Sequence, residues 1–222
     1  IDRSYHGSNM AYQRGVTLLL GEDTKSDLNA SLKWFKRASK KGYLPAHLVL
    51  AKLHIKGVGL TQDFTSAFNY YYKAAKMGHL EARAQLGFFY LRGIGVKQSY
   101  VKAEYWLKLA ALENHIDASK NLGYLYATAP QPLFKPSLAI RYLEPLAKNG
   151  DKKAALHIGE LYAIPYTATR SLSQAKYWLE QAVWLGNGFA HCPLLAFYKR
   201  YNILDGNREL QFKEKLNNSD CK

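Results

Sequence analysis

The stretch EYWLKLAALENH at residues 104–115 returns as KYWLEQAVWLGN at 176–187, 72 positions later, and half that spacing also holds. Trp34, Tyr70, Trp106, Tyr142 and Trp178 place an aromatic every 36 residues. A fixed period of this length constrains a chain more than any composition does. It requires one supersecondary unit, repeated, that buries its apolar surface against its neighbours.

Residues 82–115 show what the unit is. Leu86, Gly87 and Tyr90 cluster on one helix face, and RGIGV then supplies two glycines, two apart, for a tight connection. Ala103, Trp106, Leu107, Ala110 and Ala111 make an apolar stripe on a second helix. Each role recurs with the period. Tyr90 returns as Tyr126, Tyr162 and Tyr198, and Leu86 as Leu50, Leu122, Ile158 and Leu194. Gly87 returns as Gly123 and Gly159, with Gly15 upstream and Ala51 between them. Gly42, Gly78, Gly150 and Gly186 fall where a helix C-terminus favours glycine.

The unit is therefore a helix hairpin, and the fold class is an all-α solenoid. A mid-helix glycine costs about 1 kcal/mol against alanine, so its recurrence implies close approach where the two helices cross. The periodic aromatics are expected in the core, with Trp106→Ala costing roughly 3–5 kcal/mol. One solenoid domain is expected over 1–222. It comprises five full repeats at about 9–188, a partial sixth repeat with a more polar C-terminal capping helix at 189–216, and a tail at 217–222.

The pattern A-x-x-x-L-G-x-x-Y-x-x-G-x-G-V, followed by A-x-x-W-hydrophobic-x-x-A-A, resembles the Sel1-like repeat. Here it is carried by Ala82, Leu86, Gly87, Tyr90, Gly93, Gly95, Val96, Ala103, Trp106, Ala110 and Ala111. Residues 46–78 match well too, and the resemblance covers nearly the whole chain. It implies a right-handed α/α superhelix similar to tetratricopeptide arrays, and adaptors of protein partners in place of catalysts. Bacterial members of such a family are often periplasmic or secreted. They include flagellar-motor components, polysaccharide-pathway scaffolds and immunity proteins against lipase effectors. Two repeats depart from the pattern, with TAPQPLF (128–134) and IPYTAT (164–169) in place of G-x-G-V. Proline there fixes φ and removes a donor, so those connections are built differently.

Charge narrows the partners. The net charge of +14 favours an acidic protein face, but the basic residues are scattered through both helices of each unit, which argues against nucleic acid. Nothing is long and apolar enough to span a membrane. The two cysteines, Cys192 and Cys221, are too few for a zinc site and could form a disulfide in an oxidising compartment. The chain begins at Ile1, so it is either processed or trimmed. No nucleophile elbow, metalloprotease helix or phosphate loop occurs. No enzyme activity, cofactor, metal site or small-molecule substrate is expected. His79 and His115, one period apart, read as equivalent loop positions. His47 and His54 could meet a metal only with outside ligands.

Binding is expected on the inner face formed by the first helices, just after the Leu-Gly pair and one turn later. The candidates are Lys52, Ile55 and Lys56; Phe88, Leu91 and Arg92; Lys120 and Tyr124; and Glu160, flanked by Leu156 and Ile164. Basic heads among exposed apolar groups are the composition of interface anchors. The expected function is a non-catalytic protein–protein interaction module in a bacterial envelope or periplasm, with a cytoplasmic setting as the other option. The alternatives are an immunity protein that neutralises a secreted effector such as a lipase, or a scaffold subunit of an envelope machine.

Overall fold

A computed structural model describes residues 3–20 and 24–202; the expected capping helix at 207–216, the tail and Cys221 lie outside them. The described residues hold eleven α-helices and no strand. In chain order they are α1 (Arg3–Leu19), α2 (Thr24–Lys40), α3 (Leu44–Lys56), α4 (Phe64–Lys76), α5 (Leu80–Arg92) and α6 (Tyr100–Ala111). There follow α7 (Ile116–Thr128), α8 (Pro136–Lys148), α9 (Lys152–Ala163), α10 (Leu172–Trp184) and, after a 3-10 turn at Gly188–Ala190, α11 (His191–Arg200). By contacts the chain forms two compact units, 1–118 and 119–222.

The hairpins are closed at the helix crossing by one shared device. A side chain twenty residues further on, in the second helix, fills the space above the first-helix glycine. A Cβ on Gly15 would lie 2.7 Å from the Phe35 ring, on Gly123 2.6 Å from Leu143, and on Gly159 2.7 Å from Leu179. On Gly87 it would lie 2.6 Å from Leu107 Cδ2. The glycines thus let the backbones approach. The repeat with Ala51, facing the Tyr71 position, is the one that carries a methyl there.

This geometry corrects the expected core register by one residue. The large second-helix side chains that are consistently buried follow the periodic aromatics: Phe35, Tyr71, Leu107, Leu143 and Leu179 are 0–4% exposed. Of the aromatics themselves only Trp178 is buried, while Trp34, Tyr70, Trp106 and Tyr142 are half-buried. The reason is angular. The residue pointing at the glycine takes the hairpin interior, and the one before it, about 100° round the helix, lands on the shoulder. There Trp34 carries the guanidinium groups of Arg14 and Arg37 over its ring at 5.0 and 5.2 Å. Trp106 meets Tyr72 edge-on, with ring centroids 6.0 Å apart.

The connections are as periodic as the helices. Between hairpins, the N–H groups of Tyr43, His79, His115, Asp151 and Asn187 donate to the carbonyls of Ala38, Ala74, Ala110, Leu146 and Ala182 at 2.9–3.2 Å. The residue before each donor has positive φ: Gly42, Gly78, Gly150 and Gly186, and once Asn114 at 63°. This is the glycine-type helix terminus, and asparagine is the side chain that tolerates it best. Within hairpins, the N–H groups of Asp63, Ser99, Lys135 and Ser171 bond to the carbonyls of His54, Tyr90, Tyr126 and Tyr162 at 2.9–3.0 Å. The two proline-containing loops therefore keep the closing bond of the glycine loops. What changes is the filling, with Leu133 buried in the loop after α7.

Candidate functional site

In the first unit the six candidates occupy three equivalent positions on α3 and α5, one period apart. Lys52, Lys56 and Arg92 are exposed, whereas Ile55, Phe88 and Leu91 are half-buried. The Arg92 guanidinium lies 6.0 Å from the Phe88 ring centroid. The backbone beneath them is pinned identically in both repeats. Gln62 donates to the Ile55 carbonyl at 2.7 Å, and Gln98 to that of Leu91 at 2.8 Å. Among the described residues no carboxylate pairs with Lys52, Lys56 or Arg92. The result is an apolar row carrying three cations that no described carboxylate compensates.

In the second unit Lys120, Tyr124 and Glu160 join a chain of polar contacts through two residues that sequence reasoning did not single out. Asp151 Oδ1 caps α9 by accepting from the N–H groups of Lys153 and Ala154 at 3.0 and 3.1 Å. Its Oδ2 takes the Lys120 ammonium at 2.5 Å, and the Tyr124 hydroxyl donates to Oδ1 at 3.4 Å. The Tyr124 ring meets His157 edge-on at 5.3 Å, and His157 Nδ1 reaches Glu160 Oε2 at 3.2 Å. Burial pushes the Asp151 carboxyl up. The hydrogen bonds from Lys120 and the Ala154 N–H, with the Lys120 charge, outweigh it and hold the group below its ordinary range. Burial first, then the neighbouring Asp151 charge, raises the Tyr124 phenol, which stays neutral. Lys120 and Tyr124 thus tie one first helix to the start of the next. The Glu160 side chain remains 44% exposed.

The signal for Asp151 lay in the period. Tyr43, His79, His115, Asp151 and Asn187 recur 36 residues apart; His79, His115 and Asp151 cap the first helix that follows with a side chain, and Asn187 caps the 3-10 turn before α11. His79 and His115 accept from the N–H groups of Ala82 and Ala118 through Nδ1, at 3.2 and 3.3 Å. Capping leaves Nδ1 without a proton, so His115 Nε2 donates to Glu81 at 2.9 Å and links adjacent hairpins. Arg83 and Glu113 form a second link at the same edge. The expectation that these histidines are equivalent loop positions is met, and their equivalence is structural.

His47 and His54 clasp Tyr70. His54 stacks on its ring at 5.6 Å, and His47, buried, lies 6.3 Å away with Nδ1 2.8 Å from Ser39 Oγ. Among the described residues no group of three His, Cys, Asp or Glu could hold a metal. None of the described helices is long and apolar enough to cross a membrane. Cys192 sits in the first turn of α11, half-buried; Cys221, its expected partner, lies outside the described residues.

The repeats match the family model described as Sel1 repeat at residues 8–43, 44–79, 80–115, 116–151 and 153–187. A comparison with curated proteins finds none that matches. Among solved structures, the chain is similar to a Sel1 repeat protein from Oxalobacter formigenes, with 26% identity and a TM-score of 0.62, covering 86% of this chain and 79% of that one. It is also similar to c5321, described as a protective antigen of uropathogenic Escherichia coli displaying an SLR fold. There the identity is 23% and the TM-score 0.47, and 96% of this chain covers 53% of that one, about half its length.

Proposed function

Because the chain belongs to the Sel1 repeat family, whose members generally serve protein–protein interaction, we propose that it is a non-catalytic module that binds a protein partner along its first-helix faces. One observation carries this reading. Lys52, Lys56 and Arg92 stand exposed beside half-buried Ile55, Phe88 and Leu91, and among the described residues no carboxylate pairs with them. Cations left uncompensated around half-buried apolar groups suit a partner with an acidic face, in keeping with the net charge of +14. A bacterial envelope or periplasm is the proposed setting. The Oxalobacter relative supports a bacterial source, and a pairing of Cys192 with Cys221 would require an oxidising compartment.

The test is affinity capture of the tagged chain from its native extract, beside the triple variant Lys52→Glu, Lys56→Glu, Arg92→Glu. The wild type should retain a partner that the folded variant loses, by about tenfold or more in affinity. Equal retention sinks the binding face. A single tight one-to-one partner would make the module an immunity-type protein, and several subunits at fixed ratio a scaffold component.

A further inference from the structure

The second unit carries a cleft of about 150 Å³ between α9 and α11, floored by Leu179 of α10 and Phe197. Its walls explain why it is there. Ala163 of α9 and Ala196 of α11 stand at the repeat positions that Ile55 of α3 and Phe88 of α5 occupy in the first unit, 108 residues earlier. Two alanines thus stand where the first unit has two large, half-buried side chains, on the same helix face as the candidate binding residues. A space of this size lined by apolar groups takes one benzene-sized ring. Its rim is polar and bipartite, with Glu160 on one side and Arg200 on the other. Arg200 is exposed, its guanidinium 5.8 Å from the Tyr201 ring centroid, and among the described residues no carboxylate pairs with it.

We propose that this cleft seats a single aromatic or large aliphatic side chain of an acidic segment of the partner protein. The ring enters between Ala163 and Ala196, and a flanking carboxylate takes the guanidinium of Arg200 in the two-pronged geometry that arginine favours. The half-exposed carboxylate of Glu160 accepts a backbone N–H of the segment. The charge of the chain selects the acidic flank, and the missing bulk selects the anchor. This assignment rests on the interaction-module reading and adds the chemistry of the partner.

The experiment is a methyl and guanidinium NMR titration of the full chain with the pentapeptide acetyl-Glu-Asp-Phe-Asp-Glu-amide. Two controls run beside it, one with lysines at the four flanks and one with alanine at the centre. Shifts at the Ala163 and Ala196 methyls and at Arg200, saturating at about 1 mM and at least tenfold weaker with either control, support the proposal. Ala196→Phe, which fills the cleft, and Arg200→Glu should each abolish the shifts, with Ala163→Leu as a second filling variant should Ala196→Phe misfold. No shift at these methyls, or equal response to the lysine peptide, overturns it. So do cross-relaxation of the methyls with residues 203–222 before peptide is added, and shifts that follow protein concentration alone. If cleft-filling variants still capture the native partner while the Lys52, Lys56, Arg92 triple variant does not, the cleft assignment fails and the module reading stands.

Discussion

Gly87→Ala separates two physical effects of opposite sign. Helix propensity alone makes the alanine better by about 1 kcal/mol. The added methyl, however, would lie 2.6 Å from Leu107 Cδ2 and 3.1 Å from the Leu107 backbone nitrogen. Leu107 is 0% exposed, so its side chain has no open space to swing into, and the nitrogen moves only if α6 moves. Overpacking of this kind costs about 1–3 kcal/mol, which leaves a net loss of up to about 2 kcal/mol. Ala51, already present at the equivalent crossing, argues for the lower half of that range. Leu107→Ala alone should cost about 2–5 kcal/mol through the cavity it opens. In the double variant the methyl introduced by Gly87→Ala occupies part of that cavity, so the combined loss should fall short of the sum by about 1 kcal/mol. Urea unfolding followed by circular dichroism measures all four corners of the cycle. A stabilising Gly87→Ala, or losses that add within about 0.5 kcal/mol, refutes the claim that the glycine exists to admit Leu107.

Trp106→Ala should cost about 2 kcal/mol, less than Leu107→Ala, because the indole is half-buried on the shoulder; the reverse order in the same assay would restore the aromatic to the hairpin interior. Burial first, then Lys73, lowers the His47 pKa below its unfolded value, so the folded state resists a proton that the unfolded chain accepts. Stability should therefore be full above about pH 6.5 and fall as pH drops from there to the folded pKa, below which the loss is complete. His47→Gln should flatten that part of the pH profile, and an unchanged slope removes His47 as its cause. Asp151→Ala should cost about 1–2 kcal/mol through the lost α9 cap, read as a lower urea midpoint. Since the Asp151 carboxyl titrates below its unfolded value, its contribution is present above about pH 3.9 and lost as pH falls through the folded pKa. The expected Cys192–Cys221 bridge should leave no titratable thiol in the oxidised chain and add about 3–4 kcal/mol by closing its loop, whereas two reactive thiols would exclude it.

The period made the hairpins legible because each recurring residue answers a steric requirement that the sequence states directly. Glycine occupies four of the five crossings because a Cβ there would meet the facing second-helix side chain, and glycine or asparagine ends each second helix because φ is positive there. The angular position of the aromatics was not legible in the same way. Trp106 and Leu107 are both large and apolar, and a stripe spaced three and four apart accommodates either one as its deepest member. Only the partner glycine, twenty residues earlier, decides between them. The site divides along the same line. Lys52, Lys56 and Arg92 could be placed on a solvated face from register alone, but Lys120 and Tyr124 share that face and still turn to Asp151. Nothing in their own helix distinguishes them. The acceptor sits at the cap of the next repeat, where two of the earlier repeats have histidine and one has tyrosine. A repeat sequence therefore predicts what every unit must do to pack, and conceals what one unit does differently. The cleft shows the consequence, since Ala163 and Ala196 read as ordinary small residues until Ile55 and Phe88 are laid beside them. In such a chain, binding specificity is best sought where a repeat omits bulk or leaves a charge unpaired at a position its neighbours fill.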